Sequence, residues 1–223
     1  MKKLILIVAS LMIASPINAE SFNEIVNSRS HTLRCMIYRK CKDGVKPIND
    51  ISDIASSYPD SNFNIVADEF NRMLTSLKTI GVKVFLGDER YFPSSYRAVY
   101  SSKKNNIYLN KAYMSDPGGL IRSTRHEGWH VAQDCKDGMK NKTMKTIISE
   151  KYIPKSYHKS VEKIYADRPD EIWYEKGAYW ASHVVGMTEA ALESCIENED
   201  KYINEKVHQY EIKYLNGILR ASD

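Results

Sequence analysis

The chain has 223 residues, which favours one domain and allows a sizeable hydrophobic core. Hydrophobic residues make up 43% and charged residues 27%, ordinary proportions for a soluble globular protein. The formal net charge is +4, but without Lys2 and Lys3 it is +2, from 30 basic and 28 acidic residues. The charge therefore gives no argument for a nucleic-acid partner or for stable association with a membrane.

The first nineteen residues have the pattern of a secretory signal. A basic start at 1–3 is followed by an apolar stretch at 4–14, which is too short to span a bilayer, and by the small residue Ala19. We therefore expect residues 1–19 to be a cleavable signal and residues 20–223 to form a single domain. The mature protein would be secreted or periplasmic, and an uncleaved anchor is the alternative.

The N-terminal half predicts one long helix followed by strands. Residues 20–60 are mixed, with a turn at 42–44 and a short helix that starts at Pro47. Apolar residues then recur at three and four positions and predict an amphipathic helix that Gly81 ends. These apolar positions are Phe63, Val66, Phe70, Met73, Leu74, Leu77 and Ile80.

Three short strands are predicted next. Residues 82–86 form the first strand, and residues 96–100 and 106–110 flank a polar turn as an antiparallel hairpin. A new helix then begins with Asp116 as the N-cap and Pro117 at the first position.

This helix carries the sequence His126-Glu127-Gly128-Trp129-His130 in its middle turns. Residues four apart lie on one face of a helix, so His126 and His130 can supply half of a tetrahedral zinc site. Glu127 can reach a water at the metal without being a ligand, which is the position of a general base in metal-assisted hydrolysis. The alternative is a pair of structural histidines on a partly buried helix.

The remaining chain is predicted to be mainly helical. Residues 136–156 read as a surface loop with a weak helix, and residues 160–166 form a short helix. A further helix runs from 167 to Gly186, and Thr188 caps a last helix that extends to about residue 220. The fold class is α+β, mainly helical.

The third metal ligand is expected to be a carboxylate. A metzincin would need glycine and histidine at the positions of Gln133 and Lys136, so that class is excluded. Glu171 and Glu175 both lie on the helix that follows residue 167. Glu175 is preferred because the small residue Gly177 would let this helix approach the first one closely. Glu171 is the second choice, or else a solvated charge or a hydrogen-bond partner of a ligand histidine.

The four cysteines predict two disulfides, because an exported protein with an even number of cysteines usually pairs them. Of three possible pairings we favour Cys35 with Cys41 and Cys135 with Cys195. Cys135 as a zinc ligand is the rival interpretation, but it would point roughly 140° away from His130 around the helix.

The order of hairpin, His-Glu-x-x-His helix, loop and Glu-x-x-Ala helix resembles gluzincin-type zinc metallopeptidases. Glu175-Lys176-Gly177-Ala178 matches the first four positions of the family pattern Glu-x-x-Ala-Asp, and Tyr179 replaces the aspartate. Asp134 and Glu189 are possible substitutes for that acid.

The resemblance implies a zincin-like fold, with a small antiparallel sheet packed on the metal-binding helix and further C-terminal helices. It implies a Zn²⁺ cofactor held by His126, His130 and Glu175, with Glu127 as the catalytic base. It also implies that the strand at 107–109 is the sheet edge that binds an extended peptide or protein substrate.

Two further expectations concern catalysis. An oxyanion donor is expected, and Tyr179 or His183 are candidates because they follow Glu175 by four and eight residues. The function that fits best is an exported zinc metallopeptidase. The alternatives are an exported metal-binding or interaction protein with little or no catalysis, and an amidase acting on cell-wall peptides.

Overall fold

The structure, a computed structural model, describes residues 31–38, 40–41, 43–93, 95–139 and 144–197. The predicted signal at 1–19 and the end of the last predicted helix lie outside the described residues. The fold is α+β and mainly helical, with a small four-stranded sheet. In chain order the elements are α1 (His31–Ile37), β1 (Val45–Ile48), α2 (Ile51–Ala55), α3 (Asn64–Ile80), β2 (Lys83–Gly87), β3 (Ala98–Ser101), β4 (Asn106–Asn110), α4 (Pro117–Cys135), α5 (Lys155–Ile164), α6 (Ile172–Ala181) and α7 (Met187–Glu197).

The amphipathic helix and the hairpin are confirmed. α3 buries Phe70, Met73 and Leu77 completely, and burial of each such side chain stabilises the fold by about 1.5–3 kcal/mol. Gly81 ends the helix with a φ of 90°, a left-handed conformation that glycine adopts without steric cost. β3 and β4 pair antiparallel, as the alternating pattern predicted.

The sheet is mixed, so the prediction of an antiparallel sheet was wrong. Its order is β1-β2-β4-β3, and β2 and β4 run parallel. Among the described strands β1 and β3 are the edges, so the strand at 107–109 is not an edge. The reason is non-local, because the chain crosses from β2 to β3 before β4 inserts between them.

Pro47 lies in β1 and does not start a helix. It pairs opposite Phe85 in an antiparallel ladder. An edge strand tolerates proline because the missing N–H can face away from the ladder.

The helical layer is organised around α4, which packs against α3, α6 and α7. A Cβ atom at Gly177 would lie 3.0 Å from Trp129 Nε1, so the small residue does allow α6 to approach α4. On another side of α4, a Cβ atom at Gly128 would lie 2.9 Å from Thr188 Cγ2 on α7. Side chains at these glycines would push the helices apart.

Both favoured disulfides are present, Cys35–Cys41 within one loop and Cys135–Cys195 between α4 and α7. Two disulfides favour an oxidising compartment. None of the helices in the described part of the chain combines the length and apolar character needed to cross a bilayer.

Several C-terminal boundaries differ from prediction. The helix expected from 167 to Gly186 is a short 3₁₀ turn at Pro169–Glu171 followed by α6, which ends at Ala181. Thr188 lies inside α7 rather than capping it, and its hydroxyl donates to the Arg125 carbonyl on α4 at 3.0 Å. The hydroxyl thus links two helices.

The expected surface loop contributes to the core. Within the segment that precedes α5, three isoleucines are buried in the main hydrophobic cluster: Ile147, Ile148 and Ile153. α5 itself begins at Lys155, earlier than the predicted residue 160. Polar neighbours hid these apolar positions from a pattern-based prediction.

Candidate metal centre

The start of α4 fixes the orientation of the histidines. The Asp116 carboxylate accepts hydrogen bonds from the backbone N–H groups of Gly118 and Gly119, and Pro117 occupies the first turn, as predicted. One helical turn separates His126 from His130, and their Nε2 atoms lie 3.2 Å apart. The two imidazoles therefore converge on one point.

Glu175 on α6 completes the cluster. Its Oε2 lies 3.1 Å from His126 Nε2, and its Oε1 lies 3.4 Å from His130 Nε2. The ligand atoms of His126, His130 and Glu175 all lie within 4.8 Å of one another. The structure thus brings together the three residues that the sequence singled out.

The spacing of these atoms fits a small metal ion. Tetrahedral coordination with bonds of about 2.0–2.1 Å places neighbouring ligand atoms roughly 3.3–3.4 Å apart. The two Nε2 atoms lie 3.2 Å apart, and each has a different oxygen of Glu175 near it: Oε2 lies 3.1 Å from His126, and Oε1 lies 3.4 Å from His130. The contact of Glu175 Oε2 with His126 Nε2 at 3.1 Å lacks the geometry of a hydrogen bond, so this buried oxygen has no hydrogen-bond partner in the described part of the chain. The group can hold a metal ion, which would satisfy this oxygen and both nitrogens.

The electrostatics of the cluster show strong mutual attraction. Burial raises the pKa of Glu175, but His130 and His126 outweigh burial and hold that pKa well below its ordinary value. Burial lowers the pKa of His130, but the carboxylates of Glu175 and Glu127 and the hydrogen bond to Gln133 together outweigh burial and raise the pKa to about 9. The pocket therefore favours positive charge between the imidazoles and the carboxylate.

Gln133 orients one of the ligands, which the sequence reasoning missed. Its Oε1 lies 2.8 Å from His130 Nδ1, and its amide nitrogen donates to the Tyr174 carbonyl at 3.1 Å. Because the amide oxygen can only accept, Nδ1 of His130 keeps its proton, and Nε2 is the nitrogen that would give up its proton to bind a metal. The sequence could have predicted this contact, because Gln133 follows His130 by three residues on the same helix.

Glu127 lies beside the cluster and is only 7% exposed. The backbone N–H of Tyr100, on the edge strand β3, faces the Glu127 carboxylate closely enough to lower its pKa. Burial raises the pKa of Glu127, while the two histidines lower it and Glu175 raises it. A carboxylate held in this way can accept and release a proton at a fixed position.

The two expected substitutes for the family aspartate contact other groups. Asp134 accepts a hydrogen bond from the Tyr100 hydroxyl at 2.8 Å. Asp134 therefore holds the residue whose backbone contacts Glu127. Glu189 pairs with Arg72 at 2.8 Å.

Glu171, the second choice of ligand, and Tyr165, which the sequence analysis did not name, lie near Glu175. Glu171 pairs with Arg168 at 2.9 Å and lies outside the ligand cluster. The phenol of Tyr165 lies within hydrogen-bonding reach of the Glu175 carboxylate, and burial raises the pKa of Tyr165. The Arg168 guanidinium lies 4.4 Å from the centre of the Tyr165 ring. Tyr165 follows α5 in a turn, so no sequence periodicity marked it.

Tyr179 and His183, the two residues predicted as oxyanion donors, contact each other at the end of α6. The Nδ1 atom of His183 lies 2.8 Å from the Tyr179 carbonyl, and the His183 side chain is exposed. Both rings contact Tyr157. An oxyanion donor at either residue stays a prediction.

Comparisons of the chain with protein-family models, with curated proteins and with solved structures gave no match. The functional assignment is therefore drawn from the metal centre itself. Three buried or half-buried ligands converge there, and Glu127 lies beside them.

Proposed function

We propose that the protein is an exported zinc-dependent metallopeptidase of the gluzincin type, which hydrolyses peptide bonds in peptide or protein substrates. The observation that carries the proposal is the convergence of His126, His130 and Glu175, with the buried carboxylate of Glu127 beside them. The two disulfides support an oxidising compartment, and the proposed secretory signal at 1–19 would deliver the chain there.

The ligand set supports zinc as the metal. Two imidazole nitrogens and one carboxylate oxygen suit Zn²⁺, whereas Ca²⁺ and Mg²⁺ prefer oxygen ligands. Three protein ligands are also the number that a catalytic zinc site uses, since the fourth position is kept for water or substrate. A bound zinc would polarise a substrate carbonyl and lower the pKa of a water molecule in the site.

The chain's own groups would handle the protons. Glu127 takes a proton from the attacking water and passes it to the nitrogen of the leaving amine. The backbone N–H of Tyr100 holds the Glu127 carboxylate in place for both transfers. Tyr165, which reaches Glu175, is the hydroxyl donor best placed to stabilise the oxyanion on that side of the cluster.

The proposal includes a zincin-like fold. A hairpin, α4 and α6 supply the site in the expected order. We assign peptide binding to β3 instead of the strand at 107–109, because β3 is the edge strand that lies next to Glu127.

The test compares wild type with Glu127→Gln on a mixed peptide library read by mass spectrometry. The substitution is isosteric and removes only the base, so we expect cleavage to fall by about 10²–10⁴-fold. The metal content of the variant should stay unchanged, because Glu127 is not a ligand. Equal cleavage by both proteins would refute the assigned base.

A further inference from the structure

A second cluster of charged groups lies outside the metal centre, where the end of α1 meets the turn between β3 and β4. Three cations surround the ring of Tyr38: the charged groups of Arg34, Lys103 and Lys104 lie 5.6, 5.7 and 5.7 Å from its centre. Lys103 Nζ also lies 3.4 Å from the Tyr38 hydroxyl. With Lys40, these residues are named the Tyr38 cluster.

The cluster borders a recess in the surface. Arg34, Cys35, Tyr38 and Lys40 line an open cavity of about 410 Å³. The Cys35–Cys41 disulfide closes the loop that carries Tyr38 and Lys40, and the Lys40 N–H donates to the Cys35 carbonyl at 2.7 Å. A cross-linked loop therefore holds one side of the recess.

The positive charges of the cluster are not neutralised by the described residues. No carboxylate in the described part of the chain pairs with any of its four cations. The acid closest along the chain, Asp43, pairs with Arg90. The Lys103 ammonium, with smaller effects from Arg34 and Lys104, lowers the pKa of Tyr38. Attraction of cations to an exposed ring is weak and does not compensate four like charges.

We propose that the Tyr38 cluster binds phosphate groups of an anionic ligand. The Arg34 guanidinium provides paired donors for phosphate oxygens, and Lys40 lines the same recess. The ammonium groups of Lys103 and Lys104 add point charges beside the Tyr38 ring, which borders the recess. Free phosphate compounds and the headgroups of anionic lipids share this chemistry. The site shares no residue with the metal centre, so it stands or fails independently of the proposed peptidase activity.

The test measures binding by the full mature protein at low ionic strength, where screening is weak. One arm titrates inorganic pyrophosphate by calorimetry. The other measures flotation with phosphatidylglycerol vesicles, with phosphatidylcholine vesicles as the uncharged control. Saturable pyrophosphate binding identifies free phosphate compounds as ligands. Binding to phosphatidylglycerol vesicles without pyrophosphate binding identifies lipid headgroups.

Variants locate the binding. Lys103→Ala with Lys104→Ala should weaken it by about 25-fold, on the basis of about fivefold per charge near an anionic surface. Lys78→Ala with Lys83→Ala removes the same charge from exposed positions outside the cluster and should bind as wild type does. The proposal is overturned if neither probe binds, if both double variants lose binding equally, or if pyrophosphate does not bind and the protein floats with phosphatidylcholine vesicles as well as with phosphatidylglycerol vesicles.

Discussion

Helix α4 carries two buried ion clusters on adjacent residues, and they differ in completeness. Arg125 forms a bidentate pair with Glu69, at 2.6 and 2.7 Å, and donates a further hydrogen bond to the Ser182 carbonyl at 3.2 Å. His126 belongs to the other cluster, where two imidazole nitrogens face each other and the carboxylate atom Glu175 Oε2 has no hydrogen-bond partner among the described residues. The groups of the Arg125 cluster all have hydrogen-bond partners within the described residues, whereas the cluster of His126 and Glu175 leaves a buried oxygen without one.

The difference separates structure from function within one helix. Buried polar groups that satisfy each other hold elements together, and here Arg125 joins α4 to α3. Buried titratable groups without hydrogen-bond partners identify a candidate functional site. The metal centre is therefore expected to respond to added cations, whereas the Arg125 pair is expected to respond only to loss of a partner.

The largest effect is expected from breaking the complete pair. Arg125→Ala leaves the Glu69 carboxylate largely buried without a partner, and should lower the free energy of unfolding by about 3–5 kcal/mol. Chemical denaturation measures this loss. Arg72→Ala is the control, because Arg72 is mostly exposed in its pair with Glu189 and should cost under about 1 kcal/mol. Equal, small losses would contradict a structural role for Arg125.

The incomplete cluster should gain stability from metal. At a free zinc concentration of 100 times Kd, the free energy of unfolding should rise by about 2.7 kcal/mol, and a chelator should remove this gain. His130→Ala should abolish the gain, whereas His158→Ala should keep it. His158 is the matched control because it bonds to the Ile153 carbonyl and Glu150, outside the ligand cluster. A melting temperature that changes neither with added zinc nor with chelator would contradict a metal site.

The hydrogen bond that orients His130 should make a smaller contribution, to the affinity for zinc. Gln133→Leu removes the acceptor for His130 Nδ1 and should weaken zinc binding by about 10–100-fold, measured by competition with a chromophoric chelator. Gln133→Glu retains an acceptor at that position and should restore much of the affinity. Zinc binding by Gln133→Leu at wild-type strength would show that Gln133 only packs.

The smallest effect is expected at an ion cluster that is complete but partly exposed. The Lys176 ammonium outweighs the small effect of burial and lowers the pKa of Glu150, whose side chain is 62% exposed. A lowered folded pKa gives stability that is present above the ordinary glutamate pKa and is lost as pH falls through the folded value. Glu150→Gln should therefore destabilise by well under about 1 kcal/mol at pH 7. Urea denaturation of wild type and variant at pH 7 and at an acid pH below the folded pKa of Glu150 measures this. The two proteins should be equally stable in acid, and a stability difference that persists there would contradict the assignment.

Local patterns predicted the parts of the site that depend on one helix. The Asp116 cap, the one-turn spacing of the histidines and the small residue Gly177 are all readable from neighbours in sequence. The structure brings Glu175, the preferred third ligand, to these histidines. The contact of Gln133 with His130 is equally local, because the two residues lie three apart on the same helix.

Features that depend on chain crossing were not predictable in the same way. Tyr100 reaches Glu127 because β3 ends up at the sheet edge, and that follows from β4 inserting between β2 and β3. Tyr165 reaches Glu175 through the packing of α5 against α6. Neither the strand order nor that packing leaves a periodic trace in the sequence.

The most direct test is the zinc content of the purified mature protein and of two isosteric variants. Elemental analysis should find one zinc per chain in wild type and in Glu171→Gln, since Glu171 pairs with Arg168 outside the cluster. It should find little or none in Glu175→Gln. A wild-type protein that purifies without metal and takes up no zinc would contradict the account, as would a Glu175→Gln variant that keeps its zinc while Glu171→Gln loses it.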